Sequence, residues 1–237
     1  MSRPLLALTD VVKAFQTPDD ESLVIVDVPA FGLSRGEQVA LHGPSGSGKT
    51  TFLNLIAGIL KLDRGHIVID GTDLAGLSES GRDLVRARTV GYVFQSFNLL
   101  QGYTALENVM LGMMFGGRVD AARAESLLRR VGLGHRLHYR PAQLSIGQQQ
   151  RVAVARALAN QPALVLADEP TGNLDQRHAG EALALIREVC DEQDAALLLV
   201  SHDAAVLRAF DRAESLVDLN RAAAAHQHTA DGAAIAV

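Results

Sequence analysis

The sequence predicts an α/β fold: a mostly parallel sheet, an N-terminal antiparallel β portion, and an α-helical subdomain inserted into the core. Three observations carry this. The short apolar runs "PALVLA" and "AALLLV" flank the helical pattern "HAGEALALIREVCDE", and that alternation requires parallel strands joined by a crossover helix. A glycine-rich loop, "GPSGSGKT" at Gly43 to Thr50, lies between the strand-like "QVALH" and the helix-like "TTFLNLIAGIL". From Ser96 to about Asn160 the strand patterns stop and helical patterns replace them.

Taken in order, "LLALTDVV" and "LVIVDVPAFGL" read as early strands separated by the polar turn "QTPDDES". "QVALHG" is a short strand, and Phe52, Leu53, Ile56 and Ile59 then recur at helical spacing. "HIVIDG" and "VGYVFQ" are further strands. "LLQGYTALENVMLGMM" and "AARAESLLRRVGL" are helical and are separated by the Gly116–Gly117 break. "LSIGQQQR", Leu144 to Arg151, opens another helix: Ser145 can cap it, and Gln148 can reach back from the third position. "ESLVDL" reads as a last strand. Beyond Arg221 the tail "AAAAHQHTADGAAIAV" has no pattern and is expected to be disordered. The expected boundaries are one domain over 1–220, with core segments 1–95 and 161–220, a helical subdomain over about 96–160, and a tail over 221–237.

Composition narrows the function. The 22 Lys+Arg against 27 Asp+Glu, a formal net charge of −5, give no basic excess. Aromatics make up only 4% and Trp is absent, so a nucleic-acid partner is not expected. Cys190 is the single cysteine and fits a reducing compartment. No apolar run approaches the ~20 residues a membrane helix needs, so any membrane role is expected to come through a partner.

The loop residues Gly43, Pro44, Ser45, Gly46, Ser47, Gly48, Lys49 and Thr50 fit G-x-x-x-x-G-K-[ST] in its required strand–loop–helix context. Its glycines let backbone N–H groups close around phosphates. Lys49 would meet the β- and γ-phosphates, Thr50 would ligate Mg²⁺, and Thr51 would add a hydroxyl near the α-phosphate. Asp168 and Glu169 emerge from the apolar strand "LVLA", at the edge where open parallel sheets bind ligands. Asp168 can hold Mg²⁺ through water, and Glu169 can take a proton from an attacking water. His202 follows "LLLVS" in the same geometry, to contact the γ-phosphate or orient the water. Gln95 follows "VGYVF"; its amide can reach Mg²⁺ or the water and report phosphate occupancy to the helical insertion. The first turn of the "LSIGQQQR" helix is a second anion site.

In this order "GPSGSGKT", Gln95, "LSIGQ", "LVLADE", "NLD" at 173–175 and "SHD" resemble the ATP-binding cassette (ABC) ATPases, the motor subunits of ABC transporters. The resemblance spans Leu5 to about Asn220. It implies the ABC ATPase fold and ATP hydrolysis with Mg²⁺. It also implies a head-to-tail dimer with a second copy or a homologous subunit, sandwiching two ATP molecules. Ser145, Gly147, Gln148 and Asp175 would then act in trans, and Lys49, Thr50, Gln95, Asp168, Glu169 and His202 on the nucleotide in their own subunit. Phe15 would stack on adenine; its alternative is an edge-strand core residue. Ile146 stands where the family often has glycine. The wording around the motifs is most similar to the exporter group for lipoprotein release, macrolide efflux and cell division. That implies membrane permease partners and a place on the cytoplasmic face of the bacterial inner membrane. The alternative is a regulatory member without cargo, as in cell division. Phe97, Leu99, Leu100, Tyr103 and Leu106 either receive a short partner helix or pack the helical lobe internally.

Overall fold

The computed structural model describes residues 4–223. In chain order the strands are β1 (Leu6–Gln16), β2 (Ser22–Leu33), β3 (Gln38–His42), β4 (Arg64–Ile69), β5 (Thr72–Asp73), β6 (Val90–Val93), β7 (Leu164–Asp168), β8 (Ala196–Val200) and β9 (Arg212–Ser215). The helices are α1 (Lys49–Ile56), α2 (Glu79–Thr89), α3 (Ala105–Leu111), α4 (Ala121–Arg130), α5 (Ile146–Ala157), α6 (Gln176–Glu192), α7 (Ala204–Leu207) and α8 (Leu216–Leu219), with a 3-10 turn at Pro141–Gln143.

Two sheets form. One is antiparallel, in the order β2-β1-β4-β5; the other is parallel, in the order β6-β7-β8-β3-β9. Every residue of β7 and β8 is buried, as befits parallel strands covered on both faces. Side chains alternate between the faces. Leu164 and Leu166 enter a core with α1 and the antiparallel sheet, where Phe52 meets Phe31 edge-on at 5.8 Å. Val165 and Ala167 enter a second core with Leu183, Ile186 and Val189 of α6. The helical lobe has its own core around Phe97, Val109, Leu128 and Val152. The helix α5 belongs to both: Val152 and Ala153 face the lobe, while Val154 and Ala157 face the core.

The structure corrects two expectations and adds a helix that the sequence did not announce. The last strand ends at Ser215, and the rest of "ESLVDL" turns into α8. The helix α1 stops at Ile56, the left-handed Gly58 (φ 67°) follows, and Ile59 is exposed rather than part of the helix's buried face. The helix α2 has no buried residue, so no apolar stripe announces it; Ser78 caps it, accepting from Gly81 N. The described chain runs on to 223, with Ala222 and Ala223 buried. The remainder of the predicted tail, 224–237, lies outside the described residues.

Candidate functional site

Register explains why distant stretches of sequence meet. The strand β8 lies between β7 and β3, with Val200 opposite both Asp168 and Leu41, and Val93 of β6 is opposite Ala167. Residues leaving these C-terminal strand ends therefore emerge level with one another, at the edge where such sheets bind ligands. Lys49, Thr50, Thr51, Gln95, Asp168, Glu169 and His202 line one open cavity of about 520 Å³ with Ser45, Gly46, Gly48 and Ile25.

The loop that begins the cavity is shaped for an anion. Gly46 and Gly48 are left-handed at φ 82° and 91°, and a Cβ at Gly48 would sit 3.1 Å from the Ile25 carbonyl oxygen. The helix α1 has no side-chain cap, which leaves its first N–H groups for a ligand. Lys49 Nζ donates to the carbonyls of Gly43 (2.9 Å) and Pro44 (3.0 Å) and lies 3.9 Å from Glu169 Oε1. Within the loop, the buried Ser47 hydroxyl has no hydrogen-bond partner, an exception among buried polar groups.

The acidic pair is buried, Asp168 at 7% exposure and Glu169 at 8%. Burial pushes the Asp168 carboxyl above the ordinary carboxylate range; Glu169 pushes the same way, while the Thr50 hydrogen bond and Lys49 oppose it. Thr50, Asp168 and the Gln95 amide present a hard oxygen set, and a buried, raised carboxylate bonded to a hydroxyl suits Mg²⁺. Glu169 is held in the left-handed region at φ 45°. Its N–H donates to Val200 O (3.0 Å), its carbonyl accepts from Gly172 N (3.0 Å), and Oε1 is 2.8 Å from His202 Nδ1.

The helix-end residues gather elsewhere. Ser145 caps α5 by accepting from Gln148 N at 3.3 Å, and Gln148 Oε1 accepts from Ser145 N at 3.1 Å, the reciprocal box expected from sequence. Ser145 and Ile146 are exposed, and none of Ser145, Gly147 and Gln148 lines the cavity. Gly147 lies against α6 instead, where a Cβ on it would be 3.8 Å from His178 Cδ2. Asp175 caps α6, accepting from His178 N (3.0 Å), and its Oδ2 is 2.7 Å from His178 Nδ1. The structure thus sorts the predicted residues into two groups, one around Lys49 and one around Ser145 and Asp175.

Phe15 is exposed on β1 beneath Lys13 Nζ (5.3 Å from the ring centre), so the alternative of a core residue fails; it does not line the cavity, whereas Ile25 on the neighbouring strand does. Phe97 and Leu99 are buried in the lobe core and Leu106 packs against it, the internal-packing alternative for these three; Leu100 and Tyr103 are exposed. A different apolar groove, between core and lobe, is lined by Ile59, Leu84, Tyr92, Phe94, Leu111 and Phe115.

Two positioning residues had no motif to mark them. Asn220 is fully buried; its amide donates to Ile25 O (2.9 Å) and Ser47 O (3.3 Å) and accepts from Asp27 N (2.8 Å), joining β2 to the phosphate loop. Arg156 of α5 donates to Phe97 O (2.6 Å) and Asn98 O (2.5 Å). Those two residues are left-handed (φ 58° and 49°), so the guanidinium clamps the turn that follows Gln95.

Comparison with known proteins agrees with this geometry. The family described as "ABC transporter" matches residues 26–172, which include the phosphate loop, Gln95, Ser145 and the acidic pair. The chain is 43% identical over 223 residues to the lipoprotein-releasing system ATP-binding protein LolD 2 of Caulobacter vibrioides, covering 92% of this chain and 96% of that one. It is 50% identical over 202 residues to the LolD protein of Anaeromyxobacter dehalogenans, covering 84% of each. Among solved structures, a dimeric ATP-binding cassette in a post-hydrolysis state with ADP and Pi superposes with a TM-score of 0.81 at 35% identity, covering 89% of this chain and 93% of that one.

Proposed function

The chain belongs to the ABC transporter family and is an ATP-hydrolysing subunit, and on that premise we propose how its residues divide the work and what they drive. The observation that carries the reading is the separation just described: Lys49, Asp168, Glu169 and His202 share one cavity, while Ser145 and Gly147 lie outside it. Each chain therefore binds ATP on its own loop and offers its α5 end to ATP held by a second copy or a homologous subunit.

In this arrangement Lys49 turns a donor toward the terminal phosphates, and the loop N–H groups hold the rest. Thr50 and Asp168 with Gln95 would hold Mg²⁺, which would supply charge neutralisation on the phosphate oxygens. Glu169 removes a proton from the attacking water, a contribution of ~10²–10⁴ in rate. His202 orients the Glu169 carboxylate through Nδ1. From the partner, Ser145, Gly147 and Gln148 close on the terminal phosphate, with Asp175 beside them. A single exposed helix end contributes only ~0.3–1 kcal/mol, so no one contact clamps the dimer. Loss of the terminal phosphate releases several donors together, and the sandwich opens.

The relatives named as lipoprotein-releasing ATP-binding proteins support a motor that extracts a lipid-anchored cargo from the membrane. Among the described residues no helix is long and apolar enough to cross a membrane, so force must pass to integral membrane subunits. The groove at Ile59, Leu84, Phe94 and Phe115 suits a short apolar helix of such a partner, at the cytoplasmic face of the inner membrane. The test is the Glu169→Gln variant with Mg-ATP, measured by light scattering. A dimer that forms with ATP and is absent with ADP supports the trans site; a monomer under both conditions overturns it.

A further inference from the structure

We propose that Gln150 is a positioning residue that ties the helix end receiving the partner's ATP to the loop carrying this chain's own base. The proposal rests on the trans reading above. Gln150 lies on α5, five residues beyond Ser145, or about 7.5 Å along the helix. It is 1% exposed, and its Nε2 donates to the carbonyl of Pro170, the residue after Glu169. The reversed amide would set Oε1 against that carbonyl, acceptor against acceptor, so the orientation is fixed.

This contact sits where it governs Glu169. Pro170 has no N–H, and Glu169 stands at the start of a turn closed by Gly172 N to Glu169 O at 3.0 Å. The turn is anchored on one side by Glu169 N to Val200 O, and on the other by Gln150. Removing the second anchor leaves the Glu169 backbone held by β8 and its carboxylate by His202, with the turn after it freer to shift. Only the donor half of the amide is used: Nε2 meets the Pro170 carbonyl, while Gln150 Oε1 is buried without a hydrogen-bond partner.

The consequence is communication between the two ATP molecules of the dimer. A chain's Ser145 and Gly147 meet the partner's ATP, while its Glu169 acts on its own. Because α5 is rigid over that span, load on its first turn reaches Pro170 through Gln150. Each nucleotide thereby helps set the base that attacks the other, and turnover becomes cooperative in ATP.

The experiment compares the parent with Gln150→Met and Gln150→Asn. For Gln150→Met, kcat is expected to fall by about tenfold to a hundredfold, the penalty of a misplaced reacting group. Its monomer affinity for ATP by calorimetry should stay within about twofold of the parent, because Gln150 does not line the cavity. The Hill coefficient of turnover, above 1 in the parent, should drop to 1. Gln150→Asn, which keeps a donor one methylene short, should fall between the two. Parental kcat and Hill coefficient in Gln150→Met, or a parent Hill coefficient of 1, overturn the proposal. Should Gln150→Met not fold, Gln150→Asn with parental values overturns it equally. ATP-driven dimerisation of Glu169→Gln that persists when Gln150→Met is added separates the two readings: no dimer with Gln150 intact refutes the trans site, whereas a normal dimer with unaltered kinetics refutes only the role of Gln150.

Discussion

The strand edge and the helix-end patch face the same chemistry in different states of completion. At the strand edge each side chain is already restrained: Lys49 by two loop carbonyls, Glu169 by β8 and His202, and Asp168 by burial and Thr50. At the patch, Ser145 and Asp175 are exposed, and each caps its helix by accepting from the residue three positions on. The first region can bind a nucleotide alone. The second has helix dipoles and donors but lies outside the Lys49 cavity, so in the proposed dimer it becomes a site when another chain supplies the phosphate.

That contrast makes the two regions separable by substitution. The largest effect belongs to the edge. Glu169→Gln should lower kcat by ~10²–10⁴ while leaving ATP affinity intact, because it removes a base and no phosphate contact. Steady-state turnover at the parent rate would show that the base lies elsewhere. Lys49→Ala comes next, weakening ATP binding to the monomer by about ten- to a hundredfold, the worth of one charge-assisted hydrogen bond. Unchanged affinity by calorimetry would remove the phosphate loop from the mechanism.

The patch should respond differently. Ser145→Arg removes a helix cap, costing about 1 kcal/mol of α5, and places a long side chain at its exposed end. Turnover should fall by about tenfold, while monomer affinity for ATP stays at the parent value. If monomer binding weakens instead, the α5 end serves its own chain and the separation of the two regions is lost.

Much of the edge was legible because its signals are local. Strands such as "LVLAD" are continuous apolar runs, and the phosphate loop is a contiguous string whose glycines declare its backbone. The Ser145–Gln148 box likewise needs only three-residue spacing. What escaped is set by packing across long separations. Asn220 reaches Ile25 and Ser47 from the opposite end of the chain, and no pattern near residue 220 announces that. For Phe97 and Leu99 the sequence left docking and internal packing open, and the left-handed turn at 97–98 folds them into the lobe. The helix α2 buries nothing, so periodicity had no stripe to find.

The smallest expected effect tests whether the strand edge is built for ligand rather than for stability. Burial, together with the Glu169 charge, raises the Asp168 pKa above its ordinary value of 3.8 despite Thr50 and Lys49. Between the unfolded and folded values, the native state therefore holds a proton that the unfolded chain has released, and stability falls as pH rises through that window. The carboxyls of Asp63 and Asp73 run the opposite way. Burial raises them too, but hydrogen bonds from Ala14 and Lys13, and from Ala75 and His66, outweigh it and lower both pKa values. Their contribution is present above the unfolded value and lost as pH falls through the folded one. In nucleotide-free, Mg²⁺-free buffer, Asp168→Asn should therefore stabilise the protein by ~0.5–2 kcal/mol at pH 7 while abolishing turnover. The gain should shrink as pH falls through the unfolded value of 3.8 and vanish well below it, where the parent carboxyl is neutral in both states. Calorimetric melting of the two proteins from about pH 2.5 to 8 checks this. If Asp168→Asn melts lower than the parent at pH 7, the carboxylate is a support of the fold, and the edge is not strained in anticipation of a cation.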